Sequence, residues 1–185
     1  MRKKSFPSFC ILIILAASLS AGCGRQHCLV KSAGRAYSDP FEYCGAVRNA
    51  DLPGAPFSGP PLPPAIIAGL RKALNGTNIP DDILKAGSFW RCMEGKVYAC
   101  FTGADIPCLA KADTTKTPDV AMLKFCTDSP EAGIIHAYVT GRMTVYSWRC
   151  RHGLPETVEQ VAWPDARGFI ANHWYEIVQP PKAGP

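Results

Sequence analysis

The sequence predicts an α+β domain: a small antiparallel β-sheet structure stabilised by disulfides, with two short helices, preceded by a signal peptide and a Pro-rich linker. Three observations support this class. Eight cysteines remain in the 163 residues after the first 22, a density typical of small exported domains. Short runs of β-branched and aromatic residues are separated by glycine turns, which indicates hairpins. Two segments carry apolar residues at helical spacing.

The N-terminus has the pattern of an export signal. Arg2, Lys3 and Lys4 give a positive start, residues 9–17 form an unbroken apolar run, and small residues follow at 18, 20, 21 and 22. A bilayer-spanning helix needs about 20 apolar residues, so this run is too short to be a membrane anchor. The sequence therefore predicts a signal peptide in residues 1–22.

The end of this segment, Leu19-Ser20-Ala21-Gly22-Cys23, resembles the lipobox of bacterial lipoprotein precursors. The resemblance implies that Cys23 becomes the N-terminus, carries acyl chains and attaches the domain to a membrane. Gly24 after the lipid site then implies the outer membrane of the cell envelope, facing the periplasm or the surface. Ser20 departs from the commonest pattern, which has a large aliphatic residue. The alternative is ordinary cleavage nearby, which leaves Cys23 for a disulfide.

Charge and proline content bound the rest of the chain. The signal removes three of 20 Lys and Arg residues and none of 15 acidic residues. The mature net charge is therefore +2, which gives no support for nucleic-acid binding. Six prolines between 53 and 64 exclude a regular helix or central strand there. We expect an N-terminal arm and linker at 23–64, a globular domain at 65–180, and a disordered tail at 181–185. The linker is interpreted as a spacer or strap, with a polyproline ligand as the alternative.

The cysteines are predicted to form disulfides, although spacing alone cannot fix the pairing. Cys28 with Cys44 is the natural local pair, and Cys108 with Cys126 would close a loop around the second helix. Cys92 could bridge Cys150, which would leave Cys100 unpaired if Cys23 is lipidated. The sequence has no Cys-x-x-Cys, so it predicts no metal site and no cofactor.

The helical segments have clear boundaries. The first is predicted to begin at Pro64 and end at Asn75-Gly76, with one apolar face made by Ile66, Ile67, Leu70 and Leu74. Residues 81–85 could add another helical turn. The second is predicted over residues 118–126, with Thr117 as N-cap.

Three hairpins are predicted from the remaining pattern. Residues 89–92 and 97–101 flank a turn at Glu94-Gly95, which places Cys92 and Cys100 on opposite faces. Residues 134–139 are expected to pair with 143–150, and 157–163 with 169–178.

One motif occurs twice: Phe89-Trp90-Arg91-Cys92-x-x-Gly95 recurs as Ser147-Trp148-Arg149-Cys150-x-x-Gly153. As a binding element, it would present flat rings and charged guanidinium groups to a ligand. The candidate ligand-binding residues, including one from the stretch 172–176, are Trp90, Arg91, Trp148, Arg149 and Trp174. The structural interpretation instead buries the tryptophans in the core and stacks the arginines on neighbouring rings.

The sequence favours an exported, lipid-anchored envelope protein with a non-enzymatic binding or structural role, whose partner is an envelope protein or glycan. One alternative is an inhibitor-type domain that acts on a cell-wall hydrolase. The other is a thiol-dependent hydrolase in which an unpaired Cys100 works with His136, His152 or His173. No catalytic residues are assigned, because the sequence has no Gly-x-Ser-x-Gly elbow and no recognisable carboxylate pair.

Overall fold

The computed structural model describes residues 34–75, 78–103 and 106–181. The predicted signal peptide, Cys23, Cys28 and residues 182–185 lie outside these ranges. The helices of the described chain are α1 (Pro40–Val47), α2 (Pro64–Ala73), α3 (Asp81–Ala86), α4 (Val120–Asp128) and α5 (Ala137–Thr140), with a 3₁₀ turn at Ala171–His173. The strands are β1 (Ser88–Met93), β2 (Lys96–Phe101), β3 (Tyr146–Arg151), β4 (Leu154–Gln160) and β5 (Tyr175–Ile177). The predicted α+β class is confirmed.

The first sheet has the strand order β1-β2-β5, with antiparallel pairing throughout. The predicted hairpin is confirmed: Met93 faces Lys96 across a two-residue turn. Both turn residues, Glu94 (φ 55°) and Gly95 (φ 84°), have the positive φ that this tight turn requires. Since Cys92 pairs with Val97 and Phe89 with Cys100, the two cysteines lie on opposite faces, as predicted.

Both faces of this sheet are covered. One face packs against α1 and α2 in a core made of Tyr43, Cys44, Ile66, Leu70, Trp90, Cys92, Val97, Ala99 and Ile177. The other face packs against residues 165–174 and against Cys108 of the loop that follows β2. That smaller core contains Cys100, Cys108, Phe169 and Trp174, with Phe89 and Tyr98 at its border. The first hairpin is therefore the middle layer of the domain.

The second sheet is the hairpin β3-β4, which turns through His152-Gly153. One of its faces packs on α4 in a core made of Met122, Cys126, Ile135, Trp148 and Cys150. The register shifts between Tyr146 and Trp148, where β4 carries an extra residue. This bulge lies at the end of the hairpin far from the turn.

The other two predicted hairpins are wrong. Residues 137–140 form α5 rather than a strand, and β3 pairs with β4 rather than with the segment before it. The segment 169–178 likewise does not pair with 157–163: its strand β5 pairs with β2, and its isolated bridge joins Ile170 to Pro164, outside that range. The His152-Gly153 turn explains why β3 pairs with β4. Both turn residues have positive φ, so they form a tight turn that connects the two strands adjacent in sequence.

The predicted helices are largely confirmed. α2 begins at Pro64, α3 covers the expected turn, and α4 starts two residues later than predicted. The N-cap of α4 is Asp119 rather than Thr117, because the Asp119 carboxylate accepts the Met122 N–H at 2.8 Å. α1 was not predicted. None of the helices in the described residues is long and apolar enough to span a bilayer.

Residues 34–64, the described part of the predicted arm and linker, pack on the folded domain. Tyr43 of α1 is buried, and its hydroxyl accepts the Gly54 N–H at 2.8 Å. Phe57 and Leu62 of the Pro-rich stretch pack on the first core. The Trp90 indole N–H donates to the Pro61 carbonyl at 2.7 Å. The Pro-rich stretch is thus a strap across the core, and the boundary predicted at residue 65 is corrected.

Three disulfides join Cys44 to Cys92, Cys100 to Cys108, and Cys126 to Cys150. The predicted pairs Cys28–Cys44, Cys108–Cys126 and Cys92–Cys150 are wrong, and Cys100 is not unpaired. Each strand cysteine bonds a cysteine of the segment that packs on its own face of the sheet. Cys92 faces α1, Cys100 faces the opposite side, and Cys150 faces α4.

We expect the disulfide that closes the longest loop to contribute most to stability. Cys44 and Cys92 are 48 residues apart, and Cys100 and Cys108 are 8 apart. Loop-closure entropy then predicts losses of about 4 and about 2.5 kcal/mol when each pair is replaced by alanines. Urea unfolding of the Cys44→Ala/Cys92→Ala and Cys100→Ala/Cys108→Ala variants measures the difference. A larger loss in the second variant would contradict this assignment.

Candidate functional site

The two Trp-Arg-Cys strands hold equivalent places in two similar units. The first unit is α1 with the hairpin β1-β2, and the second unit is α4 with the hairpin β3-β4. In each unit the tryptophan is buried, with Trp90 2% and Trp148 4% exposed. The strand cysteine in each is bonded to a cysteine of the helix.

Backbone hydrogen bonds repeat between the units at matching positions. The carbonyl four residues after the helix cysteine accepts the N–H of the turn glycine. Gly95 donates to Arg48 at 2.8 Å in the first unit, and Gly153 donates to Pro130 at 3.1 Å in the second. The helix end thus holds the hairpin turn in the same way twice.

Two further hydrogen bonds in each unit are made by residues at the same distance along the chain from the helix cysteine. The side chain five residues after the helix cysteine accepts the N–H of the first turn residue: Asn49 from Glu94 at 3.0 Å, and Glu131 from His152 at 2.9 Å. The alanine six residues after it accepts the N–H of the strand cysteine. These distances are 2.9 Å for Cys92 to Ala50 and 2.8 Å for Cys150 to Ala132.

The tryptophans of the repeated motif therefore have the structural role, in the core, rather than the role of binding a ligand. Trp90, Trp148 and Trp174 are core residues, the last only 6% exposed, so none presents a ring to a ligand. A weak sequence signal of the whole unit was available. An aromatic residue precedes the helix cysteine and an alanine follows six residues after it, in Tyr43-Cys44-x5-Ala50 and Phe125-Cys126-x5-Ala132.

Arg91 of the first unit is completely buried. It forms an ion pair with Asp165, whose side chain is 7% exposed. Its guanidinium carbon lies 4.3 Å from the Trp174 ring centroid and 4.4 Å from that of Phe169. A buried guanidinium requires such compensation, because its transfer out of water is costly. Two of its nitrogens, Nε and Nη1, have no hydrogen-bond partner.

The segment that covers Arg91, residues 165–174, is ordered by the same carboxylate. The second oxygen of Asp165 accepts the N–H groups of Arg167 at 2.7 Å and Phe169 at 3.2 Å. A second set of ion pairs, at the surface, also holds the segment in place. Asp51 binds Lys111 at 2.8 Å and Arg167 at 2.9 Å. Burial raises the pKa of Asp51, but the hydrogen bonds and charges of Lys111 and Arg167 outweigh it and hold the pKa below its ordinary value.

Arg149, which matches Arg91, has different surroundings. Its side chain is 42% exposed and forms an ion pair with Glu156 on the neighbouring strand. On the same face, Leu154 is 63% and Val158 is 50% exposed. This surface, made of Arg149, Arg151, Leu154, Glu156 and Val158, is called the open face of the second unit. The corresponding face of the first unit is covered by residues 165–174.

Among the surface cavities of the described residues, two have volumes of about 580 Å³. One lies between α2 and the C-terminal stretch, with Ala65, Gly69, Lys72, Glu176, Val178 and Pro180 in its wall. The other lies at the end of α3, beside Ile79, Ile83 and Phe101. Neither contains a residue predicted to bind a ligand. Within the described ranges, no group of three His, Cys, Asp or Glu side chains is placed to hold a metal ion.

The residues proposed for thiol chemistry do not form a site. Cys100 is bonded to Cys108, so it is not a nucleophile in this state. His136 stacks on Tyr138, and His152 pairs with Glu131 at 3.2 Å. All six cysteines in the described part of the chain are in disulfides.

No family model matches the chain, and comparison with curated proteins and with solved structures finds no match. The second unit can nevertheless be compared with the first, position by position.

The two matched arginines should differ sharply in their effect on stability. In Arg91→Met, a buried Asp165 carboxylate loses its partner, so we expect a loss of about 3–5 kcal/mol. In Arg149→Met, an exposed pair is lost, and about 1 kcal/mol or less is expected. Urea unfolding followed by tryptophan fluorescence gives both values. Equal losses would show that Arg91 does not hold the C-terminal segment.

Stability should also depend on pH through His173, which is half-buried. Burial lowers the pKa of His173 below its ordinary value, so the unfolded chain binds a proton more readily than the folded one. This contribution to stability is complete above the unfolded pKa of about 6.5 and is lost as the pH falls towards the folded pKa. We expect the urea midpoint to decrease between about pH 7.5 and about pH 5.5. The decrease should be smaller in His173→Gln.

His152→Gln is the matched control, because the His152 side chain is 80% exposed. If His173→Gln retains the full pH dependence of the parent, burial of His173 is not its source.

Proposed function

We propose that this chain is an exported, lipid-anchored protein of the cell envelope whose domain binds another protein through the open face of the second unit. The observation that carries the binding role is the contrast between the two units. The same face is covered around Arg91 but leaves Arg149, Leu154 and Val158 exposed. Exposed apolar side chains beside a charged fork are typical of interaction surfaces.

Export is supported by the disulfides. Three bonds among six cysteines indicate the oxidising environment in which exported proteins fold. The lipid anchor is supported by the lipobox-like sequence that ends at Cys23, and it would hold the domain at a membrane surface in water.

A protein partner fits better than a glycan. Sugar recognition uses exposed aromatic rings, and none of the five residues of the open face is aromatic. The three tryptophans predicted to stack on a ligand are buried, and the exposed Trp163 is not one of the residues of this face. A thiol-dependent hydrolase is not proposed, because Cys100 is in a disulfide. A non-enzymatic role agrees with the apolar and charged character of the open face, which offers contacts to a partner.

The anchor is tested by the intact mass of the protein isolated from its native membrane, before and after reduction and thiol labelling. We expect acyl mass at Cys23 and three disulfides. One labelled thiol should then be found at Cys28, the cysteine that remains in the mature chain. Cys23→Ser should lose the acyl mass, and Cys28→Ser should lose only the label.

The opposite result is equally specific. No acyl mass, together with a fourth disulfide between Cys23 and Cys28, would identify a freely secreted domain and overturn the anchor.

A further inference from the structure

We infer that the open face of the second unit binds a segment of a partner protein that carries a carboxylate and aromatic side chains. This inference rests on the proposed binding role and specifies the chemistry of the partner. Its basis is the internal repeat, because the first unit shows which groups cover the same face.

Arg91 and Arg149 are equivalent by every measure of the repeat. Each follows the buried tryptophan and precedes the bonded cysteine of its strand. Arg91 pairs with Tyr98 across the hairpin, and Arg149 pairs with Glu156 at the matching position. Both arginines therefore project from the hairpin face opposite the helix.

The segment that covers Arg91 has a simple composition. Residues 165–174 supply one carboxylate and two rings, in the order Asp165, Phe169 and Trp174. In sequence terms this is Asp-x3-Phe-x4-Trp. The carboxylate neutralises the guanidinium and the rings lie over it, which together make burial of the arginine favourable.

The open face offers the same features without that cover. Arg149 is 42% exposed and keeps a flat guanidinium for an aromatic ring. Arg151 pairs with Leu154 across the hairpin rather than with an acidic residue, so it offers a second guanidinium beside Arg149 to the carboxylate of a partner. Leu154 and Val158 add exposed apolar surface on which a ring could pack.

The partner segment crosses the face rather than extending the sheet. In the first unit, Val97 of β2 pairs with Ile177 of the added strand β5. The matching residue of β4 is Pro155, which also pairs with the strand cysteine. Proline has no N–H to offer a further strand, and the β4 bulge interrupts the ladder. The face of this hairpin is therefore better suited to a partner than its edge.

A peptide of residues 164–177 is the probe, because it contains the segment that covers Arg91. It is titrated into the full mature chain carrying Cys23→Ser, and backbone amide shifts locate the contact. We expect shifts in β3 and β4. Arg149→Met should weaken binding about tenfold or more, because one partner of a charge pair is removed. An Asp165→Asn peptide should weaken it similarly.

Lys124→Met is the matched control. Lys124 carries the same charge in the second unit but lies on α4, where its side chain is 76% exposed. This variant should bind the peptide as the parent does. Urea unfolding of Arg149→Met confirms that a loss of binding is not a loss of folding.

Four results would overturn the inference: no binding at millimolar peptide, equal binding by Arg149→Met, shifts confined to the first unit, or equal loss in Lys124→Met. Sedimentation of the chain without peptide tests for a fifth such result, self-association through the open face. Dimers that Arg149→Met dissociates would identify a second copy, rather than a different protein, as the occupant. The mass measurement at Cys23 is independent, so failure of the peptide leaves the anchor standing, and the reverse also holds.

Discussion

The bond between a helix cysteine and the cysteine of a Trp-Arg-Cys strand is the constraint on which the fold depends. It occurs as Cys44–Cys92 and as Cys126–Cys150. Each bond fixes which face of the hairpin meets the helix. Since side chains alternate along a strand, the tryptophan two residues before the cysteine is then buried under the helix. The arginine between them must project to the other side.

The two units differ in what lies on that other side. In the first unit, burial of Arg91 is compensated by Asp165, Phe169 and Trp174, so the C-terminal chain is held against the sheet. In the second unit, Arg149 keeps contact with water and forms an ion pair with Glu156 of its own hairpin. One arginine position thus has a structural role in one unit and an exposed one in the other, because a buried charge demands partners and an exposed charge does not.

Local patterns in the sequence predicted local structure well. The Glu94-Gly95 turn, the helix that begins at Pro64 and the opposite faces of Cys92 and Cys100 follow from spacing alone. The disulfides could not be predicted, since Cys44 finds Cys92 through packing of α1, a helix with few large aliphatic residues. The open face was only partly predicted. Arg149 was a candidate, but the burial of Trp148 and Trp174 depends on segments distant in sequence.

In the second hairpin, the free edge is protected against association with other chains, and the exposed face is not. Its edge carries Pro155 and a bulge, two features that discourage another strand from adding to a sheet. Its face carries Leu154 and Val158, both at least half exposed, with no such protection. Negative charge at either position would reduce unwanted association at little cost to a surface strand. In the proposed complex, protection of the edge limits the contact to one mode, a segment lying across the face over Arg149.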